Sequence, residues 1–275
     1  GNGVNVTNVT ATTLIANAQT GIALETSVDA ITAPTDGAGV ITLSELNAVT
    51  LTNVTTTNGS ITITTGGATT VTNVVANGAG SDVSLTATAG DITVATVTAA
   101  DDVSITSNAG AIVDDAAATV ITGDALTLSA ATGIGVANAI DTTVASINAT
   151  STTGNIVLAE TDAVTLTNVA AAAGSVTINT GGATVLTSVS AAGAGNDVTV
   201  TVAAGGLTLS SVSAADVATL TVTGAITDGN AATTNVTAAD LAASATTGIG
   251  TAADPIETTL ARVEAGTATG GIFFT

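Results

Sequence analysis

Residues 59–69 read GSITITTGGAT, and residues 174–184 read GSVTINTGGAT. Working outward from this pair, residues 48–54 (AVTLTNV) return as 163–169, and TGIG at 132–135 returns at 247–250. The offset holds at 115 residues, slips to 114 around Gly110/Gly224 and reaches 116 at Ile140/Ile256. A long, faithful period is the signature of a repeat architecture and outranks any local motif. Residues 39–153 form one super-repeat and 154–269 the next; 1–38 carry the end of an earlier copy, and 270–275 open a further one.

Each super-repeat divides into five segments. The first opens its segments at Gly39, Gly59, Ser81, Asp101 and Asp124, with lengths of 20, 22, 20, 23 and 30 residues. Most begin with Gly, Ser or Asp, followed by an apolar/polar alternation such as Ile61-Thr62-Ile63 or Val103-Ser104-Ile105. Alternation bounded by turn formers reads as a half-buried strand. A second signal follows, in which two apolar residues flank two small or polar ones: Leu51/Val54, Val71/Val74, Val94/Val97, Val144/Ile147, Leu166/Val169, Leu186/Val189 and Leu209/Val212. This reads as a strand turning a corner with both apolar ends inward. The expected fold is all-β: one continuous parallel β-helix (β-solenoid) over residues 1–275, with about 11 rungs of 20–31 residues. Rungs stacked at about 4.8 Å would make a rod of about 50 Å. The longest segment carries excursions at 136–141 and 251–257, which should form a ridge once per block.

Composition narrows the function. Aromatics are 1%, Met, Trp, Tyr and Cys are absent, and 45% of residues are apolar, so the interior must be Val, Ile, Leu, Ala and Thr. Such residues fill a narrow tube. With 21 acidic residues, one Arg, no Lys and no His, the net charge is −20, which excludes nucleic acid and anionic membranes as electrostatic partners. No run of 18 apolar residues exists, so no transmembrane helix is expected. The chain has neither an initiator Met nor a signal-peptide pattern, and both ends fall mid-pattern. We expect the span to lie within a longer chain, or subunits to stack end to end.

Enzymatic activity is not expected. Without His, Cys, Lys or Tyr, only carboxylates remain for proton transfer. The pairs Asp101-Asp102 and Asp114-Asp115 become Asp216-Val217 and Asp228-Gly229 in the second block, so neither pair is kept. Calcium is the better chemical candidate: Asp82 and Asp102 open successive rungs with Asp101 nearby, and Asp197 and Asp216 do the same later. Stacked carboxylates repel unless a cation, water or raised pKa intervenes. The sequence lacks both the calcium-binding nonapeptide and the EF-hand loop, so diffuse counter-ion binding competes with a specific site.

Paired threonines such as Thr62/Thr64, Thr127/Ser129, Thr199/Thr201 and Thr219/Thr221 should point outward on one face. Regular Thr pairs of this kind order water in some ice-binding proteins, although Thr is also simply a good solvent-facing strand residue. Sequons at Asn5, Asn8, Asn53, Asn58, Asn148 and Asn235 match chance in a Thr-rich chain. Arg262 lies at an outward corner between Leu260 and Val263, beside Glu257 and Glu264, and should make a weak surface ion pair. Gly66-Gly67 and Gly181-Gly182 read as turns.

The rung openings GSITITTGG, SDVSLTATAGDITV and DDVSITSNAGAIVDD, with the long pattern TGIGTAADPIETTLARVEAGTATGGIFF, resemble repeats of giant bacterial surface proteins. These are the filamentous-haemagglutinin-like and other β-strand-repeat exoproteins. The resemblance implies a right-handed parallel β-helix, an extracellular or cell-surface location, and a role as fibre, sheath or stalk. The first reading is a structural filament whose partner is itself, by end-to-end or lateral assembly. The alternative is the stalk of an adhesin that attaches to a host or neighbouring cell surface.

Overall fold

The computed structural model describes residues 7–115 and 120–275. It is an all-β parallel β-solenoid of about 12 turns, 60% strand, with no helix among the described residues. Two compact units divide the chain, Gly1–Asp141 and Thr142–Thr275.

In the first unit one face is built from the strands Ile22–Ser27, Ile41–Glu45, Ile61–Thr65, Val83–Ala87 and Val103–Ser107, then residues 126–130. Every pairing is parallel. Ile41, Ile61, Val83, Val103 and Leu126 stack in register, so the turns advance by 20, 22, 20 and 23 residues. Those steps are the segment lengths read from the sequence. Leu43, Ile63, Leu85, Ile105 and Leu128 make a second inward column, each at most 2% exposed. Period-two alternation puts these side chains in the tube, and each burial contributes about 1.5–3 kcal/mol.

The other faces come from the strands Val49–Asn58, Thr69–Ala76 and Ile92–Ala99. Within Val49–Asn58 the alternation breaks once: Leu51 and Val54 are buried, whereas Thr52 and Asn53 between them face outward. All seven apolar pairs read as corners have both members buried, at 5% exposure or less. At the Gly-Gly turns the chain crosses the rung before it so closely that a Cβ on Gly66 would lie 1.8 Å from the Leu46 carbonyl oxygen. Thr65 and Thr69 close this turn by a hydroxyl–hydroxyl bond of 2.6 Å, and Thr180 and Thr184 repeat it at 2.7 Å.

The second unit reproduces the scheme. Ile156, Val176, Val198, Ala218, Leu241 and Val263 stack through the strands Ile156–Glu160, Val176–Thr180, Val198–Val202, Val217–Val222, Asp240–Ala245 and Arg262–Thr267. The segment of 30 residues behaves differently from a single long rung. In the first unit Thr26 sits directly beneath Glu45, and in the second Thr142, which aligns with Thr26, sits beneath Glu160. The strand that opens the next copy stacks at Ile272 on Ile249, and through it on Ile226 and Leu207 of the second face, so the long segment hands the opening strand on by one face.

Candidate functional site

The calcium candidates lie at the corner that opens each rung, and their positions follow from backbone bonding. Ser60 Oγ accepts the Asp82 amide at 3.0 Å, Asp82 Oδ1 accepts the Asp102 amide at 3.2 Å, and Asp102 Oδ1 accepts the Ala125 amide at 3.1 Å. In the second unit Asn155, Ser175 and Asp197 do the same for Ser175, Asp197 and Val217. A Ser, Asn or Asp at a rung opening is thus a side-chain acceptor for the rung above. This is the physical reason for the residue types that mark segment starts.

Carboxylate oxygens of Asp101, Asp102 and Asp124 lie within 4.8 Å of one another, the one such group among the described residues. Repulsion from Asp102, with smaller contributions from burial, Asp82 and Asp124, holds the Asp101 carboxyl above its ordinary value. Asp197 and Asp216 are in adjacent rungs, but no third carboxylate joins them in such a group, because Ala239 stands where the first block has Asp124. Calcium takes six to eight oxygens; three surface carboxylates, one already bonded to a backbone amide, fit a loosely held counter-ion.

Two further sets of carboxylates recur in the repeat, with Glu45, Glu160 and Asp114 buried and Asp228 half-buried. Glu45 and Glu160 end the first strand of their blocks and are 2% and 3% exposed. Glu45 accepts the Thr26 hydroxyl at 2.6 Å and the amides of Val28 and Asn47, each at 3.0 Å. Glu160 accepts the Thr142 hydroxyl at 2.6 Å, the Val144 amide at 3.2 Å and the Asp162 amide at 3.1 Å. Burial pushes the Glu160 carboxyl above its ordinary value, and the bonds from Thr142, Asp162, Val144 and Thr161 offset only part of that rise.

Asp114 and Asp228 occupy an inward column. The column Leu51, Val71, Val94 ends at Asp114, and Leu166, Leu186, Leu209 ends at Asp228. Asp114 is 5% exposed and accepts the Asn138 side-chain amide at 2.8 Å, which ties down the 136–141 excursion. Asp115 beside it is exposed, so the adjacent pair points to opposite sides of the chain. Desolvation, then repulsion from Asp114, raises the nearby Asp141 carboxyl. Asp228 Oδ1 accepts the Asn235 side chain at 2.6 Å and the Asn230 amide at 2.9 Å. Burial would raise its pKa, but these bonds, with those from Asp254 and Gly229, leave it below the ordinary value. Asn235 is fully buried; it also donates to the Leu209 carbonyl at 2.8 Å and accepts the Glu257 amide at 2.8 Å. As adjacent pairs, Asp114-Asp115 and Asp228-Gly229 suggest no site, because the second acid is not kept. The available signal was an acid, kept in both blocks, where the column predicts Val or Leu.

The Thr and Ser pairs do face outward: Thr62 and Thr64 are exposed, and Ser84, Thr86, Ser104 and Thr106 half-exposed. The array is broken by Val157/Ala159 and Glu264/Gly266. A surface hollow of about 230 Å³ lies beside it, lined by Glu25, Ser44, Glu45, Leu46, Thr64 and Gly66 among others, with no aromatic residue. Among the sequons, Asn58 and Asn148 are exposed, Asn53 accepts the Asn73 side-chain amide at 2.7 Å, Asn8 accepts the Glu25 amide at 3.3 Å, and Asn235 is buried; Asn5 lies outside the described residues. Arg262 does pair at the surface, but with Asp240 rather than its sequence neighbours, because it begins a strand in register with that residue.

No helix of the described residues is long and apolar enough to cross a membrane. No protein-family model, curated protein or solved structure matches the chain.

Proposed function

We propose that this chain is a structural component of an extracellular or cell-surface fibre or sheath. The observation that carries the reading is the ladder itself: turn after turn, within each unit, pairs in parallel register with the next over aliphatic columns. Backbone amides held between rungs give stiffness and resistance to proteolysis without any single essential residue. The likeness of the rung openings to filamentous-haemagglutinin-like and β-strand-repeat exoproteins supports export to the surface. An acidic surface keeps such an assembly dispersed. The buried carboxylates bond to the chain's own amides and hydroxyls, a building role that agrees with this reading. Its partner is itself, by end-to-end or lateral contact. Electron microscopy of native material tests the proposal: continuous fibres or a sheath are expected. Isolated stalks ending in a distal knob would refute it in favour of an adhesin.

A further inference from the structure

Asp254-Pro255 is the one Asp-Pro bond in the sequence; the other proline, Pro34, follows Ala33. It falls in the 251–257 excursion of the second unit, with Asp254 exposed, and the aligned positions of the first block are Asn138-Ala139. Both excursions reach back to the acid that ends an inward column. Asn138 donates its side-chain amide to Asp114 at 2.8 Å. Asp254 bonds by its side chain to Asp228. An amide brings its own hydrogen to such a bond, whereas two carboxyl groups can bond only through a shared proton. A proton is thus stationed on the side chain that precedes the proline.

The main chain completes the arrangement. The Asp254 carbonyl oxygen accepts the Thr251 amide at 2.8 Å and the Thr251 hydroxyl at 3.4 Å. That hydroxyl accepts the Asp254 amide at 3.0 Å, which leaves its own hydrogen for the carbonyl. Two donors on one carbonyl oxygen stabilise negative charge there, as an oxyanion hole does. Pro255 has no N–H, so no ladder bond holds its nitrogen.

We infer that the Asp254–Pro255 peptide bond is a self-cleavage site. Asp254 passes its proton to Asp228, and the freed oxygen bonds to the main-chain carbonyl carbon of the same residue. Negative charge moves to the carbonyl oxygen, between the Thr251 donors. Collapse breaks the bond to the Pro255 nitrogen, which takes the proton from Asp228 and leaves as a secondary amine. Water then opens the cyclic anhydride, and Asp254 ends with two carboxyl groups. The sum is hydrolysis of one peptide bond, with no oxidation or reduction. The first block, with Asn138-Ala139, is spared. The cut leaves the stack standing, since Ile256 pairs with Phe274 and Thr258 with Thr237 beyond it.

The test is a time course at about pH 4, where carboxyl groups exchange protons freely, read by mass spectrometry of the denatured products. The folded chain should yield two fragments, one ending at Asp254 and one beginning at Pro255. It should do so at least about tenfold faster than a synthetic peptide of residues 248–260. Asp254→Ala and Pro255→Ala should abolish both fragments. Asp228→Asn should return the rate to that of the peptide. Thr251→Val, which keeps Asp228, should slow cleavage and gives the decision should Asp228→Asn lose its β-sheet circular dichroism. Equal rates in folded chain and peptide would overturn the inference, and so would the parental rate in either folded variant. Neither result depends on whether the protein forms fibres.

Discussion

Leu85 offers a direct test of a stack in which each rung answers only to its neighbours. It is 2% exposed, between Ile63 below and Ile105 above. In Leu85→Asp, about 2 kcal/mol of apolar burial is lost, and a carboxylate without donors adds several kcal/mol. The sum, on the order of 5–8 kcal/mol, would unfold many globular domains outright. In a solenoid it should open the damaged rung and its two neighbours and stop there. Hydrogen exchange read by mass spectrometry should show lost protection in Ile61–Thr65, Val83–Ala87 and Val103–Ser107, with Val198–Val202 protected as in the parent. Uniform loss of protection, or collapse of the β-sheet circular dichroism signal, would refute nearest-neighbour cohesion. The contrast with Asp114 and Asp228 is instructive: these acids hold inward positions because Asn138 and Asn235 donate to them, and position 85 has no such donor.

Asn235→Val should destabilise the second unit by about 3 kcal/mol or more, since it strips donors from Asp228 and the Leu209 carbonyl and an acceptor from the Glu257 amide; denaturant unfolding measures it. The raised Glu160 carboxyl binds its proton more tightly folded than unfolded, so its contribution is greatest below the ordinary value of 4.5 and is lost as pH rises through the folded value. Urea titrations from acid to neutral pH should show that decline, and Glu160→Gln should flatten it. Asp228 has the opposite sign: its contribution is present above 3.8 and lost as pH falls through its lowered folded value, an acid-side loss that Asp228→Asn should remove. Gly66→Ala should lower the melting temperature because its Cβ would sit 1.8 Å from a carbonyl oxygen, at a cost of about 1–3 kcal/mol. Gly80→Ala, with nothing within 4 Å, should show only the strain of a φ of +71°, about 1–2 kcal/mol.

Most of the architecture was legible in the chain because the relevant signals are local. Alternation in Ile61-Thr62-Ile63 assigns each side chain to the tube or to solvent within a single strand. The doubled outward residues in Leu51-Thr52-Asn53-Val54 mark a corner for the same reason. Segment lengths of 20, 22, 20 and 23 residues set the stacking steps, since parallel rungs of like pattern have one good register. The acidic corner follows from the same spacing: Asp82 and Asp102 fall in adjacent rungs, and repulsion from Asp102 holds the Asp101 carboxyl above its ordinary value.

What tertiary structure alone decided is which oxygen meets which donor. Glu45 looks like any turn acid until Thr26 and Val28, one turn earlier, come to lie against it. Asp114 lies inward only because it stacks on Val94, and Arg262 finds Asp240 only because its strand lies in register on that rung. An apolar period records that a residue is inside but not what is stacked above it. That depends on the summed length of every turn between them.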